Sequence, residues 1–144
     1  MQRKEFYRRL IEEVRKGVAE AWKGFETDGF GYLIKFYFDD PAIHYEVSQH
    51  ERLGRCEVGL HFEADRDTNA SLLHYFDDLA IDLKIELGAG LEVEQWTKSW
   101  TRIYELLPCK SLDEATLELV SQKLAKMINF LQPLLEEWRA RGGH

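Results

Sequence analysis

The sequence predicts an α+β fold, one domain in which helices cover the aromatic face of an antiparallel sheet, and three observations carry that prediction. Apolar residues recur at helical spacing in three separate stretches. Between Phe30 and Glu63 the period switches to two, and short turn signals rather than long crossovers separate the alternating runs. The expected order is helix, three strands, helix, two strands, helix. With 144 residues, the chain has room for one core that hides roughly 68 to 70 per cent of the surface its unfolded form exposes.

Phe6, Leu10, Val14, Val18, Ala21, Trp22 and Phe25 form an amphipathic stripe among Arg and Lys residues, predicting a helix over 3–24 that Gly24 and Thr27-Asp28-Gly29 end. From Phe30 onward, Phe30, Tyr32, Ile34, Phe36 and Phe38 alternate with Gly31, Leu33, Lys35 and Tyr37, the pattern of a strand with an aromatic core face. Asp39-Asp40-Pro41-Ala42 makes a turn, because proline presets its own dihedral and the aspartates bond back to the chain. Two half-buried strands follow. Ile43, Tyr45 and Val47 alternate with His44, Glu46 and Ser48, and then Cys56, Val58, Leu60 and Phe62 alternate with Arg55, Glu57, Gly59, His61 and Glu63.

Asp67 or Thr68 is the expected cap of a middle helix striped by Leu72, Phe76, Leu79, Leu83 and Leu87 and stopped at Gly88-Ala89-Gly90. Leu91 to Trp96 and Trp100 to Leu106 read as a second hairpin whose facing is ambiguous. Ser111 with Glu114 forms a capping box for the last helix, which Leu117, Val120, Leu124, Met127, Ile128, Leu131 and Leu135 carry onward and which Pro133 should kink or restart.

Register follows from alternation, since a one-residue slip sends every apolar side chain of a strand into water. The shortest turns pair Phe36 with Tyr45 and Ile34 with Val47, which brings Tyr37 beside His44 and Lys35 beside Glu46 on the other face. The next hairpin pairs Tyr45 with Leu60 and Val47 with Val58, so that His44 faces His61 and Ser48 faces Glu57. A two-residue shift would instead set His44 against Glu63.

A net charge of −7 and a pI near 5.3 argue against a general nucleic-acid binder, whose phosphate contacts need a concentrated basic surface. The first residues run into a charged helical pattern without an export signal, and no apolar run reaches the ~20 residues of a membrane span. A cytoplasmic address is therefore expected, with no membrane partner. Cys56 and Cys109 are too few to define a framework, and Cys56 reads as a small buried hydrophobe.

The polar sheet face of Tyr37, His44, Glu46, His61 and Glu63 is the expected binding surface. Opposed strand residues hold their Cβ atoms about 4.5 to 5.5 Å apart, close enough for two imidazoles to share an ion if Glu46 or Glu63 completed the set. Without cysteine or a recognised spacing, solvated surface histidines are the expectation, with neither metal nor cofactor. Glu92 with Glu94, and Glu57 with Glu63, are read as solvated acidic faces rather than catalytic pairs, so no catalytic residue is assigned. Arg8 and Arg9 stand for the basic first helix, whose charges are expected to pair with the acidic middle helix. The stripe from Met127 to Trp138 is weighed as core against a subunit interface.

Arg55-Cys56-Glu57-Val58-Gly59-Leu60, Tyr75-Phe76-Asp77-Asp78-Leu79, Ile85-Glu86-Leu87-Gly88, Leu91 to Trp96 and Thr101-Arg102-Ile103-Tyr104 resemble the uncharacterised domain appended to some restriction-nuclease-like proteins, over residues 43–138. The element order also resembles that of type III secretion chaperones, which are dimers. Both resemblances imply an accessory or protein-binding role. The expectation is a non-enzymatic interaction or regulatory module that binds a protein partner or itself. A nucleic-acid or nuclease-associated role through Arg8 and Arg9 is the runner-up, and a metal-dependent enzyme around His44 and His61 comes third.

Overall fold

In the computed structural model, which describes residues 1–143, six antiparallel strands form one sheet with helices packed on it. Helix α1 (Arg3–Gly17) leads into β1 (Glu26–Phe30), β2 (Leu33–Tyr37), β3 (Ile43–His50) and β4 (Arg55–Phe62). Helices α2 (Arg66–Asp77) and α3 (Ala80–Leu87) precede β5 (Glu92–Gln95) and β6 (Thr101–Pro108), and α4 (Glu114–Ala140) closes the chain. The strand order is β1-β2-β3-β4-β6-β5.

The hairpin registers follow the alternation. Lys35 pairs with Glu46 and Phe36 with Tyr45 between β2 and β3. His44 pairs with His61, Tyr45 with Leu60 and Ser48 with Glu57 between β3 and β4, so the alternative that opposed His44 to Glu63 is not adopted. The ambiguous hairpin is settled as well. Ile103 and Leu107 of β6 join the core, which leaves Arg102 opposite His61 and Tyr104 opposite Gly59. Phe6, Leu10 and Val14 of α1, Leu72 and Phe76 of α2, and Leu124, Ile128 and Leu131 of α4 bury against Ile34, Phe36, Tyr45, Val58, Leu60 and Phe62.

Six expectations need correction. The predicted first strand is shorter, Leu33–Tyr37, and gains a partner upstream: β1 occupies Glu26–Phe30, including the Thr27-Asp28-Gly29 expected to end the helix, and Gly31, at a φ of +57°, reverses the chain so that Phe30 pairs with Leu33 and Phe30 and Tyr32 stay exposed. Only glycine reaches that conformation without strain. Helix α1 stops at Gly17, seven residues early, where Val18 turns extended at φ −86° and ψ 154° and only a short 3₁₀ segment follows at Glu20–Trp22; Gly17 itself packs so closely that a Cβ there would meet Ala125 Cβ at 2.8 Å. The middle helix breaks at Leu79, whose φ of −102° and ψ of 9° separate α2 from α3, and the cap of α2 is Asp65, accepting from the Thr68 amide. Helix α4 runs through Pro133 without restarting, and Asp113, not Ser111, accepts from the Thr116 amide at its start.

The stripe of Met127, Ile128, Leu131, Leu135 and Trp138 lies in the core of its own chain, which removes it as a subunit interface. Helix α3 instead leaves Ile81 and Ile85 in solvent. Cys56 and Cys109, both buried and 53 residues apart, are joined as a disulfide with a Cα separation of 5.5 Å. Cys56 is thus more than a small buried hydrophobe: its partner lies just beyond β6, where the Cys109 amide donates to the Gly54 carbonyl.

Candidate metal centre

The face of the sheet turned away from the helices carries two His-x-Glu triplets, His44-Tyr45-Glu46 on β3 and His61-Phe62-Glu63 at the end of β4. Side chains two apart on a strand share a face. The antiparallel pairing of His44 with His61 then brings both triplets to one point, their imidazoles stacked at a centroid distance of 5.5 Å. Gly59 lies between Glu46 on β3 and Tyr104 on β6. A Cβ at Gly59 would meet Ile103 O at 2.6 Å and Tyr104 Cβ at 2.7 Å. That position has room only for hydrogen.

The converging atoms are arranged in two nearly equivalent halves. His44 Nε2 lies 3.1 Å from Glu46 Oε1, and His61 Nδ1 lies 3.0 Å from Glu63 Oε2. The crossed distances, His44 Nε2 to Glu63 Oε2 and His61 Nδ1 to Glu46 Oε1, are both 3.9 Å. One ligand atom from each of the four residues lies within 4.8 Å of all the others. Metal-to-ligand bonds of ~2.0–2.2 Å place neighbouring ligand atoms of a tetrahedral zinc about 3.3–3.6 Å apart. The observed spacings bracket that value.

Tautomers point the same way. His44 Nδ1 lies 2.9 Å from the Pro41 carbonyl, which can only accept, so Nδ1 carries the proton and donates it there. In the neutral ring this leaves the Nε2 lone pair aimed at the carboxylates. His61 is held at both nitrogens, by Glu63 on Nδ1 and by Glu57 on Nε2. Glu57 in turn accepts from Arg102 Nη1, and Arg102 Nη2 also donates to Glu94 at 2.8 Å. The Arg102 guanidinium sits 4.8 Å from the Trp96 ring and 3.8 Å from the Tyr104 ring, and Trp96 turns an edge toward His61 at 5.7 Å.

This face is not the solvated surface the sequence suggested. His44 is 0% exposed and His61 1%, with Glu46, Ser48 and Glu57 also buried. Burial pushes the His61 imidazole down, but its bonds to Glu57 and Glu63 and the nearby Glu46 outweigh that and lift its pKa to about 9. Burial pushes Glu46 up, yet the His44 bond and the charges of His61 and Lys35 leave it below the usual carboxylate range. The surrounding carboxylates therefore favour positive charge at this point of the sheet, whether as a ring proton or as a bound cation.

Of the expected binding residues, His44, Glu46, His61 and Glu63 come together, while Tyr37, at the end of β2 and paired with Glu26, is half-buried and not among the converging groups. Arg8 and Arg9 lie on α1, outside this cluster. Arg8 pairs with Glu5 and Glu12 and Arg9 with Glu114, and Arg3 reaches Glu51. None of these pairs involves the middle helices, contrary to expectation. Sequence reasoning took Glu57 and Glu94 for solvated acidic residues and missed Arg102 and Trp96 as members of the site, because the facing of the second hairpin was open. The repeated His-x-Glu triplet on consecutive strands was the available signal.

No family model matches the chain, and neither the curated proteins nor the solved structures yield a match.

Proposed function

We propose that this protein is a non-enzymatic module whose sheet holds one divalent transition-metal ion of the zinc class, ligated by His44 Nε2, His61 Nδ1, Glu46 and Glu63. The observation that carries the reading is the convergence of these four ligand atoms, mutually within 4.8 Å, with His44, Glu46 and His61 buried and Glu63 partly so. Two imidazole nitrogens favour zinc and its first-row neighbours over magnesium or calcium, which prefer all-oxygen shells. Four protein ligands fill a tetrahedral shell and leave no position for substrate, the arrangement of a structural rather than a catalytic centre. Bound there, the ion braces β3 against β4 and offsets the two carboxylate charges in a buried place, where an unpaired charge costs several kcal/mol.

The test is a zinc titration of chelator-stripped, tag-free protein, followed by calorimetry and by thermal unfolding. One equivalent should bind and raise the unfolding temperature, and His44→Ala and Glu46→Gln should each abolish both effects. Wild-type protein that binds no zinc, cobalt or manganese, or variants that bind as well as wild type, would remove the reading.

A further inference from the structure

The ligand set leaves unexplained why Glu57, an ionisable side chain, is buried on β4 at 2% exposure. Its two oxygens are divided. Oε2 meets His61 Nε2, and Oε1 accepts from Arg102 Nη1. We propose that Glu57 is the positioning residue of the metal centre, fixing the His61 tautomer so that Nδ1 faces the ion, and that Arg102 holds Glu57 in that role; the inference rests on the metal reading above.

The direction of each bond makes the case. Arg102 can only donate, so the Glu57 carboxylate is an acceptor there. A carboxylate with one oxygen on a guanidinium and the other on an imidazole nitrogen draws the ring proton to Nε2, leaving Nδ1 free as a lone-pair donor. Glu57 is not itself a ligand, because it engages the ring nitrogen opposite the one facing Glu46 and Glu63. Arg102 is in turn fixed by Glu94 and by the Trp96 and Tyr104 rings, so the β5–β6 hairpin supports a centre whose ligands lie on or just beyond β3 and β4. A glutamine at 57 cannot replace the carboxylate. Its amide has one acceptor and one donor group, so it must either give up His61 or present its NH₂ to the guanidinium.

The experiment is a zinc competition against a chromophoric chelator with wild type, Glu57→Gln and Arg102→Met, paired with cobalt(II) absorption spectra of each. Glu57→Gln should bind zinc about 10- to 100-fold more weakly while its cobalt complex keeps the wild-type four-coordinate band, since the ligand set is unchanged. Arg102→Met should weaken binding in the same direction and keeps the test available if the buried Glu57 variant does not fold. Imidazole ¹⁵N shifts of the zinc-loaded wild type should show the His61 proton on Nε2. Unchanged zinc affinity in both variants, a cobalt band lost with Glu57, or a His61 proton on Nδ1 overturns the proposal while leaving the metal centre standing. Failure of the wild type to bind any of the metals overturns both.

Discussion

Reducing the Cys56–Cys109 bond should cost the protein about 4 kcal/mol of stability. The bond spans a sequence separation of 53 residues, and the chain-entropy expression applied to a loop of that length removes roughly 14 cal/mol/K from the unfolded ensemble, or about 4 kcal/mol at 25 °C. For a chain of this size each kcal/mol moves the unfolding temperature by roughly 2–4 °C, so the shift should be on the order of 10 °C. The bond also ties the start of β4 to the segment that enters α4, so its loss should loosen the end of the sheet where Arg55 pairs with Pro108. Denaturant unfolding, followed by tryptophan fluorescence with and without a phosphine reductant, reads the difference directly. Alkylation with mass spectrometry reports how much protein is cross-linked. Equal midpoints for fully oxidised and fully reduced protein would show that the bond does not constrain the unfolded chain, and a protein that stays in the dithiol form under oxidising conditions would show that the bond does not form. Stable disulfides are rare where glutathione keeps thiols reduced, so the state found in protein isolated from its host also tests the cytoplasmic expectation.

Three further outcomes are expected. Gly59→Ala should destabilise by about 1–3 kcal/mol, because the new methyl meets the backbone of Ile103 and Cβ of Tyr104; chemical denaturation measures this, and a neutral effect would mean that β4 and β6 can separate freely. Tyr45→Phe should cost about 1–3 kcal/mol, since it strips the buried Gln132 Oε1 of the hydroxyl that donates to it at 3.1 Å, and an unchanged midpoint in urea would show that another donor takes its place. The cap aspartates Asp65 and Asp113 are held below the usual aspartate range, chiefly by the Thr68 side chain and by the Thr116 backbone amide respectively. A lowered pKa contributes stability that is present above the ordinary aspartate value and fades as pH falls through the depressed one. Helical circular dichroism should accordingly weaken below about pH 4 less in Asp65→Asn and Asp113→Asn proteins than in wild type, and an identical acid response would count against the caps.

Much of the sheet was legible because alternation leaves little freedom. Once Ile43, Tyr45 and Val47 must face the core, His44 and Glu46 must face away, and the turn lengths around Pro41 and Gly54 select the partners. Helix ends were less legible, for local reasons. A stripe of apolar residues at helical spacing does not reveal that Leu79 leaves the helical region, nor that Ala125 crowds Gly17. The division at Gly31 was hidden because Phe30 and Tyr32 continued the aromatic alternation while pointing into solvent. The four possible ligands were all named from sequence, yet the burial of His44, Glu46 and His61 was not, because alternation left undecided the facing of the hairpin that sets Arg102 opposite His61 and Trp96 against its ring. Polar residues on a sheet face read as solvated until the neighbouring strand is placed.

The central claim is that His44, Glu46, His61 and Glu63 enclose one ion. X-ray absorption of the zinc-loaded protein tests it most directly. The spectrum should show two imidazole nitrogens and two carboxylate oxygens at about 2.0–2.2 Å with no sulfur neighbour, and the loss of one imidazole signal in His61→Ala. A shell of water oxygens alone, or a sulfur contribution from Cys56 or Cys109, would contradict it.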